Sequence, residues 1–214
     1  MKILLLVLAL CLTPLAWAEE PAQKAECAGE VSPVQNAPQK TDDLTQIAAR
    51  FSAVQTIHSR FTQEKHMALL TEPVVSEGVF SFEKSPARIR WEYQKPFKNG
   101  FILDGSSAYR LEEGKKTPVK GVMARNIAAQ MLVWLSFDLQ ALSKTYAITV
   151  FEGGVRLKPL SDKNKMLEEI SVWFAADNPQ ALSKIQMTEP GGDYTVLSFT
   201  ETQINKPLAE GTFK

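Results

Sequence analysis

The chain has 214 residues, 44% of them hydrophobic, with 24 basic and 24 acidic side chains and two cysteines. Balanced charge excludes attraction to nucleic acid or to an anionic surface through bulk electrostatics. The longest apolar run, Ile3 to Leu12, is too short for a spanning helix, which needs about 20 such residues.

That run belongs to the opening stretch MKILLLVLALCLTPLAWAEE. Lys2 supplies a basic start, Pro14 breaks the apolar run, and Ala16-Trp17-Ala18 precedes Glu19, the pattern of a secretory signal peptide cut after Ala18 (residues 1–18). Cys11 follows Leu10, whereas lipid-modified cysteines follow a small residue, so the mature protein is expected to be exported, soluble and unanchored. Cleavage removes Lys2 and Cys11, leaving one net negative charge and Cys27 as the sole cysteine. An intramolecular disulfide is then impossible, and the neighbours of Cys27 offer neither thiol nor imidazole for metal binding.

Residues 19–40 hold three prolines and only two large aliphatics, Val31 and Val34, so they read as a flexible tail. The folded domain is expected over residues 41–214. Thr41 is an N-cap candidate, with Asp42 and Asp43 suited to the positive end of a helix. Leu44, Ile47, Ala48, Phe51, Val54 and Ile57 or His58 follow at helical spacing.

From Phe61 the apolar period changes to two. Runs at 61–68, 74–84, 87–94, 100–104, 107–112, 145–151, 154–159, 167–176, 182–188 and 193–203 read as strands. Turn signals such as DG at 104, EGG at 152 and EPGG at 189 separate them. About ten such strands describe an antiparallel meander that must close or curl to hide its edges. The fold class is therefore mainly β with helices, an α+β arrangement. The segment VMARNIAAQMLVWLSFDLQALSK (122–144) interrupts it, with Met123, Ile127, Met131, Leu135, Leu139 and Leu142 on one helical stripe and Asp138 placed to cap a second short helix. Its apolar character predicts a cover packed on the sheet.

Catalytic constellations do not emerge. His58 and His66 lack nearby ligand or nucleophile partners, and no nucleophile elbow, phosphate loop or paired C-x-x-C occurs. Glu168 and Glu169 would face opposite sides of a strand. The pattern points to a binding protein with no cofactor or metal.

The stretch ARIRWEY (87–93) puts Ile89, Trp91 and Tyr93 on one face and Arg88, Arg90 and Glu92 on the other. Phe80 and Phe82 would pair beside it, and Ile148, Val172 and Leu197 extend the face on later strands. At roughly 1.5 to 3 kcal/mol per large side chain, such a face will not stay wet. It either packs into a solid core or, in a curled sheet of eight or more strands, lines a space for a small ligand.

RFTQEK (60–65), EGVFSFEKSPARIRWEYQKP (77–96) and LDG (103–105) resemble, in order and spacing, the periplasmic outer-membrane lipoprotein carrier family, the LolA-like proteins. The resemblance spans roughly residues 41–213. It implies a half-open antiparallel barrel lidded by helices, whose cavity takes the acyl chains of lipoproteins or of another lipid-like cargo. It implies an inner-membrane transporter and an outer-membrane acceptor as partners, and the carrier is expected to be a monomer. Phe80, Phe82, Ile89 and Trp91 match cavity positions. Two departures stand out. Lys84-Ser85-Pro86 replaces the family's Arg-Pro, whose arginine bonds the lid, making Lys84 and Arg90 the lid-gating candidates. The chain also ends at Lys214, soon after INKPLAEGTF, without the C-terminal extension of many carriers.

Overall fold

The computed structural model of the chain describes residues 41–105, 107–119, 139–161 and 167–214. The segments expected as signal peptide and tail (1–40) and most of the apolar insertion, with Met123, Ile127, Met131 and Leu135, lie outside the described residues.

The first element is α1 (Thr41–Ser52). Six strands follow: β1 (Thr56–His66), β2 (Val74–Glu83), β3 (Arg88–Lys95), β4 (Asn99–Asp104), β5 (Ser107–Glu112) and β6 (Lys115–Val119). A short helix, α2 (Leu139–Ser143), leads to β7 (Tyr146–Phe151), β8 (Gly154–Pro159), β9 (Glu169–Phe174), β10 (Leu182–Thr188) and β11 (Tyr194–Ile204). Among the described residues no helix is long and apolar enough to cross a membrane.

All the strands join one antiparallel sheet in the order β6-β5-β4-β3-β2-β1-β11-β10-β9-β8-β7. The sequence predicted a single meander; the sheet consists of two, β1 to β6 and β7 to β11, fused where the first strand pairs with the last. Ile57 lies opposite Ile204 and Phe61 opposite Phe199 across that seam. The sheet curls without closing. In a flat sheet β3 and β11 would be about 14 Å apart, yet the rings of Trp91 and Phe199 meet at 6.5 Å.

Two boundaries differ from the sequence expectation. The helix stops at Ser52, and Ile57 and His58 belong to β1. Asn205, just past β11, is the reason: its side-chain oxygen accepts the Gln55 N–H at 2.7 Å, and its amide donates to the Ala53 carbonyl at 3.2 Å. These bonds lead the chain out of the helix through a turn at Ala53 and into β1 at Thr56, so Ile57 and His58, which continued the helical stripe, serve a strand instead. The second difference is β6, which lies outside the strand runs read from the sequence. It pairs with β5 as an edge strand, where Pro118 and two lysines suit a position with one unpaired side.

The sheet has two chemically distinct faces. The inner one carries the main core, into which α1 inserts Ile47 and Phe51 and α2 inserts Leu142. The outer one carries a second apolar cluster over β4 and β5, where Ile102 and Leu111 are covered by Phe213 of the C-terminal segment. Arg90 donates to the Thr212 carbonyl at 3.0 Å and Lys116 to that of Phe213 at 3.0 Å, fixing the segment in place.

Candidate functional site: the inner face of the curled sheet

Alternation along β1, β2 and β3 brings Phe61, Phe80, Trp91 and Tyr93 together. Phe61 lies 4.3 Å from Trp91 and meets Tyr93 edge-on at 5.3 Å, and Phe80 lies 5.5 Å from Trp91. Aromatic contacts of this kind add to simple area burial and hold each ring in one orientation. Gly78 makes the arrangement possible. It sits opposite Phe61 at a bulge, and a Cβ there would come within 2.5 Å of the Phe61 ring and 2.2 Å of the Glu92 carbonyl oxygen. The glycine of the EGVFSF motif is thus a packing requirement of the inner face.

The predicted face residues are brought together. Phe80, Phe82, Ile89, Trp91, Tyr93, Val172 and Leu197 are buried in one cluster, and Ile148 packs against it half-buried. Phe61 and Gln63 complete the β1 contribution; the sequence marked them within RFTQEK as part of the family resemblance but not as face residues, although the 57-59-61-63 alternation in TIHSRFTQ points to the face. The Tyr93 hydroxyl donates to Gln63 Oε1 at 2.8 Å, a buried bond that fixes both side chains. Tyr146 lies at the edge of the face, and burial pushes its phenol pKa above the ordinary value.

The gating candidates lie on different sides. Lys84 donates its ammonium to the Ser52 carbonyl at 2.5 Å, at the end of α1 where the helix dipole favours a cation. Arg90 is on the outer face, paired with Glu92 at 2.8 Å and bonded to the C-terminal segment. Both histidines have structural partners. His58 shares a 2.9 Å hydrogen bond with Ser81, and His66 stacks on Tyr194 at 4.3 Å. Among the described residues no three His, Cys, Asp or Glu side chains come together as a metal site.

A curled, unclosed antiparallel sheet with one apolar face places the protein in the class of open β half-barrels. The chain belongs to the family described as outer membrane lipoprotein carrier protein LolA, whose model matches residues 52–214. It is 21% identical over 177 residues to an outer-membrane lipoprotein carrier protein of Pseudoalteromonas translucida, covering 83% of this chain and 84% of that one. A protein of the same description from Cupriavidus taiwanensis is 26% identical over 199 residues, covering 88% and 90%. Among solved structures, the LolA superfamily protein NE2245 from Nitrosomonas europaea is similar with a TM-score of 0.44 and 8% identity, covering 80% of this chain and 97% of that one.

Proposed function

We propose that the chain is a periplasmic carrier that takes the acyl chains of lipoproteins, or of another acylated lipid, against its inner face and shuttles them from the inner to the outer membrane. The observation that carries this reading is the unbroken apolar lining of an unclosed sheet, from Ile89 and Trp91 on β3 across the seam to Val172 on β9. Phe80, Phe82, Tyr93, Ile148 and Leu197 belong to the proposed lining. The family membership and the signal-peptide pattern of residues 1–18 support the compartment.

A 16-carbon chain hidden from water gains on the order of 12 kcal/mol at about 0.8 kcal/mol per methylene. Such a chain does not cross the aqueous gap unaided, and a carrier must nearly match the membrane without greatly exceeding it. Loading is then driven by an inner-membrane transporter, and unloading by an outer-membrane acceptor. The test is binding of a fluorescent fatty-acid analogue to the delipidated protein. Wild type is expected to bind and Trp91→Glu to lose binding; a wild type that binds nothing overturns the proposal.

A second reading, an envelope interaction module with a solid core, is favoured by the complete burial of Ile89 and Val155, both 0% exposed. Native mass spectrometry of protein taken from the cell envelope separates the two, since only a carrier brings lipid with it.

A further inference from the structure

Among the described residues, three buried side-chain polar atoms have no hydrogen-bond partner: Trp91 Nε1, Asn99 Oδ1 and Thr195 Oγ1. The strand registers put all three on the inner face. Trp91 lies opposite Phe101, Asn99 opposite Tyr93, and Thr195 opposite Met187. Buried polar side chains of the outer face are satisfied, Ser81 by His58 and Ser171 by Glu169 at 3.0 Å. Structural polar groups of the inner face are satisfied as well. Ser59 bonds the Thr200 carbonyl at 3.0 Å and Thr202 at 2.8 Å, and Tyr93 bonds Gln63. The deficit is confined to three atoms on the face that cargo would touch.

Trp91 has the largest deficit to explain. Its side chain is more than nine-tenths buried, at 6% exposure, and a buried indole N–H ordinarily finds an acceptor. Phe61, Phe80 and Phe199 surround the ring, so it cannot swing to reach one. The inner positions beside it on β2 to β4 are Phe80, Phe82, Ile89, Tyr93, Phe101 and Leu103, none of them charged. A carboxylate placed there would be desolvated with no cation beside it among these described positions, which is costly. A neutral carbonyl oxygen suits the position.

We propose that the Trp91 indole N–H is an internal donor for the ester or amide carbonyl of an acyl chain, so that the interior selects acylated lipid over plain hydrocarbon. This inference rests on the lipid carriage proposed above and names the chemical group that carriage recognises.

The experiment displaces a fluorescent fatty-acid analogue from the delipidated full chain with dipalmitoylglycerol and with its dihexadecyl ether counterpart, which lacks the carbonyls. Wild type is expected to bind the ester about tenfold more tightly than the ether, the effect of one buried hydrogen bond. In Trp91→Phe, which keeps a ring and loses the N–H, that ratio is expected to fall to about one. Equal binding of ester and ether by wild type overturns the inference and leaves carriage standing, as does a ratio unchanged in Trp91→Phe. Displacement by neither lipid overturns both. Should Trp91→Phe fail to fold, wild type labelled with 15N at its indole nitrogens decides. The Trp91 N–H resonance, assigned through its contacts to Phe61 and Phe80, is expected to move downfield with the ester and not with the ether, and equal shifts overturn the inference.

Discussion

Strand β3 presents two faces built to opposite rules. On its inner side Ile89, Trp91 and Tyr93 are almost fully buried in an aromatic cluster, and one of them keeps an unpartnered donor. On its outer side Arg88, Arg90 and Glu92 find partners within the chain. Arg88 pairs with Glu83 and stacks 4.5 Å from the Phe213 ring, while Arg90 holds the C-terminal backbone. The outer face of β3 is finished by the protein's own C-terminal segment; the inner face is mostly apolar and leaves three of its buried polar atoms without a partner among the described residues. Stability is therefore expected to depend on both faces, and lipid binding on one.

Two isoleucines make the sharpest probe of that division. Ile89 faces inward and Ile102 outward, and both are 0% exposed. Truncating either to alanine is expected to cost about 3 to 4 kcal/mol in urea unfolding, from lost burial plus the cavity left behind. At a temperature where both variants remain folded, only Ile89→Ala is expected to weaken binding of the fatty-acid analogue. If Ile102→Ala weakens it equally, the two faces are not functionally separate. Gly78→Val comes next, at about 3 kcal/mol, because its side chain would enter space held by the Phe61 ring and the Glu92 carbonyl. The 4.3 Å contact between Phe61 and Trp91 should loosen with it, a change readable in Trp fluorescence.

Tyr93→Phe tests the satisfied part of the inner face. Removing the hydroxyl strands Gln63 Oε1 in a buried site, so a loss of about 1 to 2 kcal/mol is expected. The double variant Tyr93→Phe, Gln63→Leu should recover part of that loss, since both partners of the bond are then gone. A single variant as stable as wild type would mean that water already serves this pair, and that the inner face is wetter than its apolar lining implies.

The inner alternation was legible in the sequence because each of Ile89, Trp91 and Tyr93 is separated by a charged residue, which leaves one assignment of faces. The outer cluster was not legible. Phe101, Ile102 and Leu103 are consecutive apolar residues, and only the pairing of β3 with β4 shows that Ile102 turns outward. The seam between β1 and β11 was hidden for a different reason. Its partners are far apart in the chain, and local periodicity carries no information about which distant strand a given strand will meet. The early stop of α1 belongs to the same class, since Asn205 acts on residues 53–56 from the far end of the domain. Unpartnered atoms such as Trp91 Nε1 are least legible of all, because a missing hydrogen bond is a property of the assembled neighbourhood.

Lys84 offers the smallest effect and the finest comparison, between this chain and the arginine that its family resemblance leads one to expect at this place. Its ammonium meets the last carbonyls of α1 with a single bond on an exposed side. Lys84→Met is expected to cost less than about 1 kcal/mol, consistent with a surface cation at a helix end. A guanidinium offers several donors in a fixed plane, so Lys84→Arg could engage more than one carbonyl at the same helix end. If α1 moves when lipid enters, Lys84→Arg should slow association of the fatty-acid analogue in stopped-flow fluorescence while Lys84→Met speeds it, with little change in unfolding midpoint. Equal association rates in all three proteins would show that this bond only caps the helix and that α1 stays in place during loading.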